Sequence, residues 1–195
     1  MTIDSDAQTQ TESRSNALIR RAAFAESIDP SLRHKEDNAS RLIGSLNASR
    51  LSKMRKLHDL AEQLTRDADR FVACRKGCAA CCHMNVTISA TEAALIERAA
   101  DRKSSAPALS RAHDPKRFVG TPCPFLKESA CTIYSARPLA CRMHLSFDTS
   151  AYWCQPERMH LAEMPMLRFE GLVDAYFTLI GSDVTADIRD FFPGR

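Results

Sequence analysis

The stretch that decides the fold is CRKGCAACC, residues 74–82, in which four of nine residues are cysteines. Cys74, Cys78 and Cys81 are separated by three and two residues, so the backbone can turn their thiols towards one centre. The adjacent side chains of Cys81 and Cys82 diverge in most backbone conformations. They are therefore better suited to two metals, or to two corners of one cluster, than to one shared position.

A second group of cysteines begins forty residues later and comprises Cys123, Cys131, Cys141 and Cys154. All eight cysteines lie within the 81 residues from 74 to 154, and the other 114 residues contain none. A disulfide scaffold would suit the even number but requires an oxidising compartment. Scattered buried thiols would not cluster, and a redox-active pair at Cys78 and Cys81 lacks a thioredoxin-like context. The clustering therefore favours metal ligation.

The spacing leaves the identity of the metal open. Soft thiolates suit both zinc and iron–sulfur clusters, and we rank copper(I) below these. Two tetrahedral zinc ions would use all eight thiolates, whereas one four-iron cluster would use four. His83 and His144 are further candidate ligands, although we favour a supporting position beside the cysteines for both.

Composition and charge exclude several classes of protein. The chain has 195 residues and a formal net charge of +3, from 27 basic and 24 acidic residues. This balance argues against a nucleic-acid partner, which needs a concentrated basic face. No apolar stretch approaches the roughly 18 residues of a membrane span, and the N-terminus does not resemble a secretory signal. We therefore expect a cytoplasmic protein with reduced thiols and no membrane partner.

The apolar periodicity predicts a mostly α-helical fold around an irregular, loop-rich cysteine centre. Helical stripes run from about 36 to 72, with one break near Arg50, and from about 166 to 180. A capping box at Ser89 and Glu92 predicts a helix over about 90–102. An extended piece at 84–88, a loop at 103–122 and a last short helix at 184–192 complete the prediction.

The predicted domain organisation is simple. Residues 1–35 are expected to form a flexible tail with a possible short helix at 17–25, and residues 36–195 a single domain whose core motifs span 72–154. Leu, Ile, Val and Phe make up about a fifth of the chain, which is near the lower limit for folded proteins. Bound metal is therefore expected to contribute to stability.

Two motifs in order resemble a known family. CRKGCAACC is followed by CPFL at 123–126 and by CTIYSARPLACR at 131–142, and together they resemble the YkgJ-type cysteine-cluster family, a zinc- or iron-chelating domain. The resemblance spans about 72–154. It implies that the metal ligands are the eight cysteines, Cys74, Cys78, Cys81, Cys82, Cys123, Cys131, Cys141 and Cys154. The family implies metal binding without an agreed reaction.

Three functional hypotheses remain open from the sequence. The first is a metal-binding protein whose zinc or iron–sulfur centre is structural or carries electrons. The second is an enzyme that uses iron or an iron–sulfur cluster in oxidative or group-transfer chemistry. Cys74, Cys78 and Cys81 also resemble the three-cysteine signature of radical S-adenosylmethionine enzymes, but the alternating strands and helices of that family are not predicted here. The third is a zinc-stabilised protein-interaction module. No catalytic residue is recognisable in the sequence.

Overall fold

The computed structural model describes residues 3–75 and 77–194, and the side chains of residues 10–75 and 77–194. The fold is mostly α-helical, as predicted. The α-helices are α1 (Ile3–Ser27), α2 (Pro30–Asp37), α3 (Ala39–Gly44), α4 (Arg50–Thr65), α5 (Ala90–Ala100), α6 (Leu139–Met143), α7 (Glu170–Ile180) and α8 (Ile188–Phe191). Four short strands accompany them: β1 (Thr87–Ser89), β2 (Leu126–Lys127), β3 (Ala130–Cys131) and β4 (Thr185–Asp187). Among the described residues, no helix combines the length and apolar character needed to cross a membrane.

Helix α1 occupies the segment for which the sequence predicts a tail with at most a short helix. It runs from Ile3 to Ser27 and buries Ala17 and Phe24 in the core. Its Arg20 side chain donates from Nε to the carbonyl oxygens of Phe71, at 3.0 Å, and Phe147, at 3.1 Å. These contacts tie α1 to the two segments that flank Cys74 and Ser146.

The predicted helical stripe over 36–72 has its expected break near Arg50, but the backbone is also interrupted at Asn38 and the last helix ends at Thr65. Asn38, with φ −104° and ψ 11°, separates α2 from α3, and a bend at 45–49 separates α3 from α4. Ser49 begins α4 by accepting a hydrogen bond from the Ser52 amide at 3.3 Å. The apolar stripe continues across both breaks because α2, α3 and α4 all pack against α7. The apolar periodicity therefore identifies the buried face of these three helices correctly, although the backbone is interrupted between them.

Two apolar clusters form the core. The first is built mainly from α1, α3, α4 and α7, and includes Phe24, Met54, Leu57 and Leu172. The second is built around β1, α5, β4 and α8, and includes Ile88, Ile96, Phe191 and Phe192. Helix α5 contributes Leu95 to the first cluster and Ile96 to the second. This helix therefore joins the two halves of the core.

Antiparallel pairing of β1 with β4 closes the second half of the core. The register aligns Thr87 with Asp187 and Ser89 with Thr185, and the Asp187 carboxylate accepts a hydrogen bond from the Val86 amide at 2.7 Å. The sequence predicts an extended piece at 84–88 and a short helix at 184–192. In the structure, the extended piece leads into β1. The segment predicted as one short helix forms β4 followed by α8.

Glu92 holds α6 against the helical core. Its buried carboxylate accepts hydrogen bonds from the Leu139 amide at 2.7 Å and the Tyr176 hydroxyl at 2.9 Å, and it lies 3.1 Å from His58 Nε2. Burial, followed by the neighbouring Glu92 charge, raises the pKa of Tyr176 well above its usual range. The predicted capping box is also present between Glu92 and Ser89. One carboxylate therefore starts α5 and positions the helix that carries Cys141.

We expect Gly171→Ala to destabilise the protein by about 2 kcal/mol, because a new methyl group there has no space. A Cβ at Gly171 would overlap the backbone carbonyl oxygen of Glu36, where α2 meets the first turn of α7. Gly44→Ala is the matched control, since nothing lies within 4 Å of its Cβ position. Urea unfolding of both variants measures the difference. Equal stabilities would show that α2 and α7 are not in close contact.

Candidate metal centre

The first cysteine group follows α4 and a short 3-10 turn, Ala68–Arg70. The Ala73 amide donates to the carbonyl oxygen of Ser146 at 2.8 Å, and the Ser146 amide donates to Cys74 Sγ at 3.4 Å. Burial raises the pKa of the Cys74 thiol, and the Ser146 amide partly opposes this effect. The pairing therefore places Cys74 against a segment more than seventy positions later in the chain.

The chain turns sharply between Cys74 and the next cysteines. Gly77 has φ +86°, a left-handed conformation that favours glycine, and the Cys78 amide donates to the Arg75 carbonyl at 2.9 Å. A 3-10 turn, Ala80–His83, then carries Cys81 and Cys82. A hydrogen bond between these two thiols raises the pKa of Cys81 and lowers that of Cys82. Cys81 is therefore the donor of this bond.

Backbone hydrogen bonds join the two cysteine groups directly. The Cys123 amide donates to the Cys82 carbonyl at 2.7 Å, and the Gly120 amide donates to the His83 carbonyl at 3.0 Å. Arg189 on α8 strengthens this junction, since its Nη2 donates to the carbonyls of Thr121 at 2.6 Å and Cys82 at 3.3 Å. The loop over 103–122 thus returns the second group to the first.

A tight hairpin then turns the chain from Cys123 to Cys131. Strands β2 and β3 pair Leu126 with Cys131, and the two loop residues, Glu128 and Ser129, have φ of +50° and +59°. Positive φ at both positions is the geometry of a type I′ turn, which matches the twist of the strands. The Leu126 amide also donates to the Cys123 carbonyl at 3.0 Å. Cys123 and Cys131 therefore belong to one compact hairpin.

Cys141 and Cys154 lie on two short helical turns. Cys141 is on α6, and burial raises the pKa of its thiol well above the usual range. Cys154 ends the 3-10 turn Tyr152–Cys154. Burial raises its pKa as well, and a hydrogen bond with the Ser146 side chain partly opposes this. Ser146 therefore contacts both Cys74 and Cys154.

The mutual electrostatic effects group the thiols into two sets that overlap at Cys81. The charges of Cys74, Cys78 and Cys81 act on Cys154, and those of Cys81 and Cys78 act on Cys74. The charges of Cys123, Cys131 and Cys141 act on Cys82. We define the outer set as Cys74, Cys78, Cys81 and Cys154, and the inner set as Cys82, Cys123, Cys131 and Cys141. Cys81 lies between the sets, since its charge also acts on Cys141 and its thiol is hydrogen-bonded to that of Cys82.

The two sets are attached to different halves of the core. Cys74 packs against the first apolar cluster, whereas Cys123, Cys131 and Cys141 pack against the second. All eight cysteines are free thiols, without a disulfide among them. Within 3–75 and 77–194, no three His, Cys, Asp or Glu side chains stand in an arrangement that could hold a metal ion. Backbone hydrogen bonds nevertheless bring the two cysteine segments together.

The two histidines occupy different positions. His83 Nδ1 lies 3.1 Å from the carbonyl oxygen of Ala79 and supports the turn that carries Cys81. His144 lies beside the inner set in the wall of a cavity, and burial lowers its pKa, which favours the neutral imidazole. Arg189 and Ser146 are the residues that sequence reasoning missed. Neither has a local signal, because each acts on a cysteine distant in sequence.

Comparison with known proteins agrees with the cysteine pattern. A family model described as "CxxCxxCC: Putative zinc- or iron-chelating domain" matches residues 73–157, which include all eight cysteines. No curated protein and no solved structure matches the chain. The match agrees with the resemblance seen in the sequence motifs.

Proposed function

We propose that the protein binds two zinc ions, one in each set of four cysteines, a proposal that the match of residues 73–157 to a zinc- or iron-chelating family model supports. Cys74, Cys78, Cys81 and Cys154 hold the outer ion. Cys82, Cys123, Cys131 and Cys141 hold the inner ion. Four thiolates suit tetrahedral zinc in a closed structural site, and eight ligands supply two such sites.

The observation that carries this proposal is the hydrogen bond from the Cys123 amide to the Cys82 carbonyl, at 2.7 Å. It brings the second cysteine group against the first despite the forty residues between them. Cys82 lies beside the later cysteines, whose charges act on it, and Cys81 lies between the two groups, since its charge acts on both Cys154 and Cys141. Eight free thiols also support a reducing location such as the cytoplasm.

The charge around the centre supports thiolate ligation. Eight thiolates with two divalent ions leave a net charge of about −4. Arg137 acts electrostatically on Cys81 and Cys141, and Arg189 acts on Cys123. Both arginines thus favour the deprotonated thiols that metal binding requires.

The role of the zinc is structural: the outer ion holds its ligands beside the first apolar cluster, and the inner ion holds its ligands against the second. Zinc has no redox chemistry of its own in such a site, and a site closed by four thiolates offers no open position for a substrate. The protein's own residues supply the remaining support: Ser146 orients the outer set, and Arg189 holds the backbone of the inner set.

The metal content of protein purified without oxygen tests this proposal. Colourless protein with two zinc ions per chain is expected. Brown protein containing iron and sulfide would instead identify an iron–sulfur centre and favour the electron-carrying or enzymatic hypothesis. Protein that purifies without stoichiometric metal would refute metal binding altogether.

We expect Arg189→Met to weaken zinc retention about tenfold, because residues that hold the ligands typically contribute on this scale. The substitution removes the hydrogen bonds to the carbonyls of Cys82 and Thr121. Transfer of zinc to a chromogenic chelator measures the effect. Arg111→Met is the control. Arg111 is an exposed residue of the 103–122 loop and pairs with Asp190, which lies on α8 next to Arg189. Equal zinc retention in the two variants would show that Arg189 does not support the zinc ligands.

A further inference from the structure

Helix α1 directs two side chains, Arg20 and Phe24, towards the chain segments that flank the outer set. The two residues are one helical turn apart and therefore lie on the same face of the helix. Arg20 is partly buried, and Phe24 is fully buried. Both precede residues 73–157, which the family model matches. This face of α1 therefore belongs to a part of the chain that the family model does not cover.

Arg20 joins the segment that leads to Cys74 with the segment that follows Ser146. Its Nε donates to the carbonyl oxygens of Phe71 at 3.0 Å and Phe147 at 3.1 Å. A hydrogen bond from a charged donor is stronger than one from a neutral donor. Without the guanidinium, the two carbonyl oxygens would lose the donor that they share. One side chain therefore fixes the separation of two segments that are distant in sequence.

Phe24 packs against the same two segments. Its ring centre lies 5.7 Å from that of Phe71 and 5.6 Å from that of Phe147, distances at which aromatic rings attract each other. Phe24 and Phe147 are buried members of the first apolar cluster, and Phe71 packs against it. A polar contact and an apolar contact from one face of α1 therefore act on the same pair of segments. We call Arg20 and Phe24 the α1 clamp.

The segments held by the α1 clamp also contact each other and an outer thiol. The Ala73 amide donates to the Ser146 carbonyl at 2.8 Å, and the Ser146 amide donates to Cys74 Sγ at 3.4 Å. Cys74 lies shortly after Phe71 in the chain, and Ser146 directly precedes Phe147. A change in the separation of the two segments would therefore move Cys74 relative to the other outer thiols.

Helix α1 also contacts the chain beyond Cys154. Gln10 Nε2 donates to the Leu161 carbonyl at 3.2 Å, and Arg21 Nη1 donates to the Met166 carbonyl at 3.3 Å. Within the described part of α1, no residue belongs to the second apolar cluster, against which the inner set packs. The contacts of α1 are therefore concentrated on the segments that carry the outer set.

We propose that the α1 clamp sets how tightly the outer zinc ion is held and leaves the retention of the inner ion unchanged. Residues that hold metal ligands in place typically contribute about 10–100-fold to metal affinity. The inference rests on the proposed function, because it requires two ions in two sets. By linkage, the outer ion also favours the docked position of α1 by the same factor. The outer ion is therefore the one that a displacement of α1 releases.

Transfer of zinc to a chromogenic chelator, from full-length variants that keep one ion each, tests the inference. Cys131→Ser is expected to keep the outer ion. Cys78→Ser is expected to keep the inner ion and leaves the contacts of Ser146 with the other outer thiols in place. Added to these variants, Arg20→Met should weaken zinc retention at least tenfold in Cys131→Ser and leave it unchanged in Cys78→Ser. Any other pattern, including equal weakening in both, would overturn the inference.

Arg33→Met is the matched control, since Arg33 also donates to two backbone carbonyls, those of Ile28 at 3.0 Å and Glu26 at 3.2 Å. These carbonyls lie at the junction of α1 and α2, so zinc retention should not change. An equal loss of outer zinc in Arg33→Met and Arg20→Met would show a general effect of helix stability and refute the clamp. Single-cysteine variants that lose both ions would instead refute the proposed two-site function.

Hydrogen exchange of the α1 amides gives a second measurement, which needs no Arg20 variant and so remains decisive if Arg20→Met does not fold. Loss of the outer ion in Cys78→Ser should speed exchange in α1 at least tenfold, because the ion favours the docked helix. Loss of the inner ion in Cys131→Ser should leave this exchange unchanged. Similar exchange of α1 in the two variants, each shown to keep one zinc ion, would overturn this inference alone.

Discussion

Removal of zinc by a strong chelator, without oxygen, is expected to lower the melting temperature by roughly 10–20 °C. Metal binding free energy is also folding free energy in such domains, and each kcal/mol shifts the midpoint by about 2–4 °C at this chain length. The outer set contacts the first apolar cluster through Cys74, and the inner set contacts the second. Loss of both proposed ions should therefore loosen the cysteine segments that pack on each half of the core.

Circular dichroism of the treated and untreated protein measures this change. Returning two equivalents of zinc should restore the original midpoint, which controls for damage by the chelator. A melting temperature that stays the same after complete removal of zinc would contradict a stabilising role for the metal.

Cysteine variants should lose the two zinc ions separately, one ion for each set that is disrupted. Cys74→Ser is expected to lose one zinc ion and Cys131→Ser the other, because each removes a thiolate from a different set. The double variant Cys74→Ser/Cys154→Ser should still retain one ion, since both residues belong to the outer set. Cys74→Ser/Cys131→Ser should retain none. Metal per chain after anaerobic purification provides the measurement.

The double variants decide between separate sites and one shared cluster. If each single substitution removes all metal, the eight cysteines act as a single unit. The position of Cys154 in the sequence, twelve residues after Cys141, suggests a dispensable ligand because a distant ligand must order a longer loop. The structure changes this expectation, since Ser146 contacts both Cys74 and Cys154. We therefore expect Cys154→Ser to cost as much metal as Cys74→Ser.

Local signals predicted the fold wherever a short segment decides its own structure. The capping box at Ser89 and Glu92 predicted α5, which spans Ala90–Ala100. The stripe over 36–72 identified the buried face and its break near Arg50, where α4 begins, but missed the interruption at Asn38. Helices that share one packing partner keep a common stripe even when the backbone between them bends.

Non-local contacts explain what could not be predicted in the site. The two cysteine motifs are visible in the sequence. Their grouping into sets, however, depends on contacts of Ser146 and on the backbone hydrogen bond from Cys123 to Cys82. Arg189 reaches Cys82 from 107 residues away. The β1–β4 pairing that positions Arg189 links segments about a hundred residues apart. No local pattern marks such partners, because tertiary packing creates them.

X-ray absorption at the zinc edge is the most direct test of the proposed two-site centre. Two zinc ions held by eight thiolates should give an average first shell of four sulfurs per zinc at about 2.3 Å, with no nitrogen or oxygen ligand. Eight thiols shared between two ions allow no other average without a histidine or water. A shell containing fewer than four sulfurs would contradict the assignment of the eight cysteines, and a scattering contribution from imidazole would in addition favour His83 or His144 as a ligand.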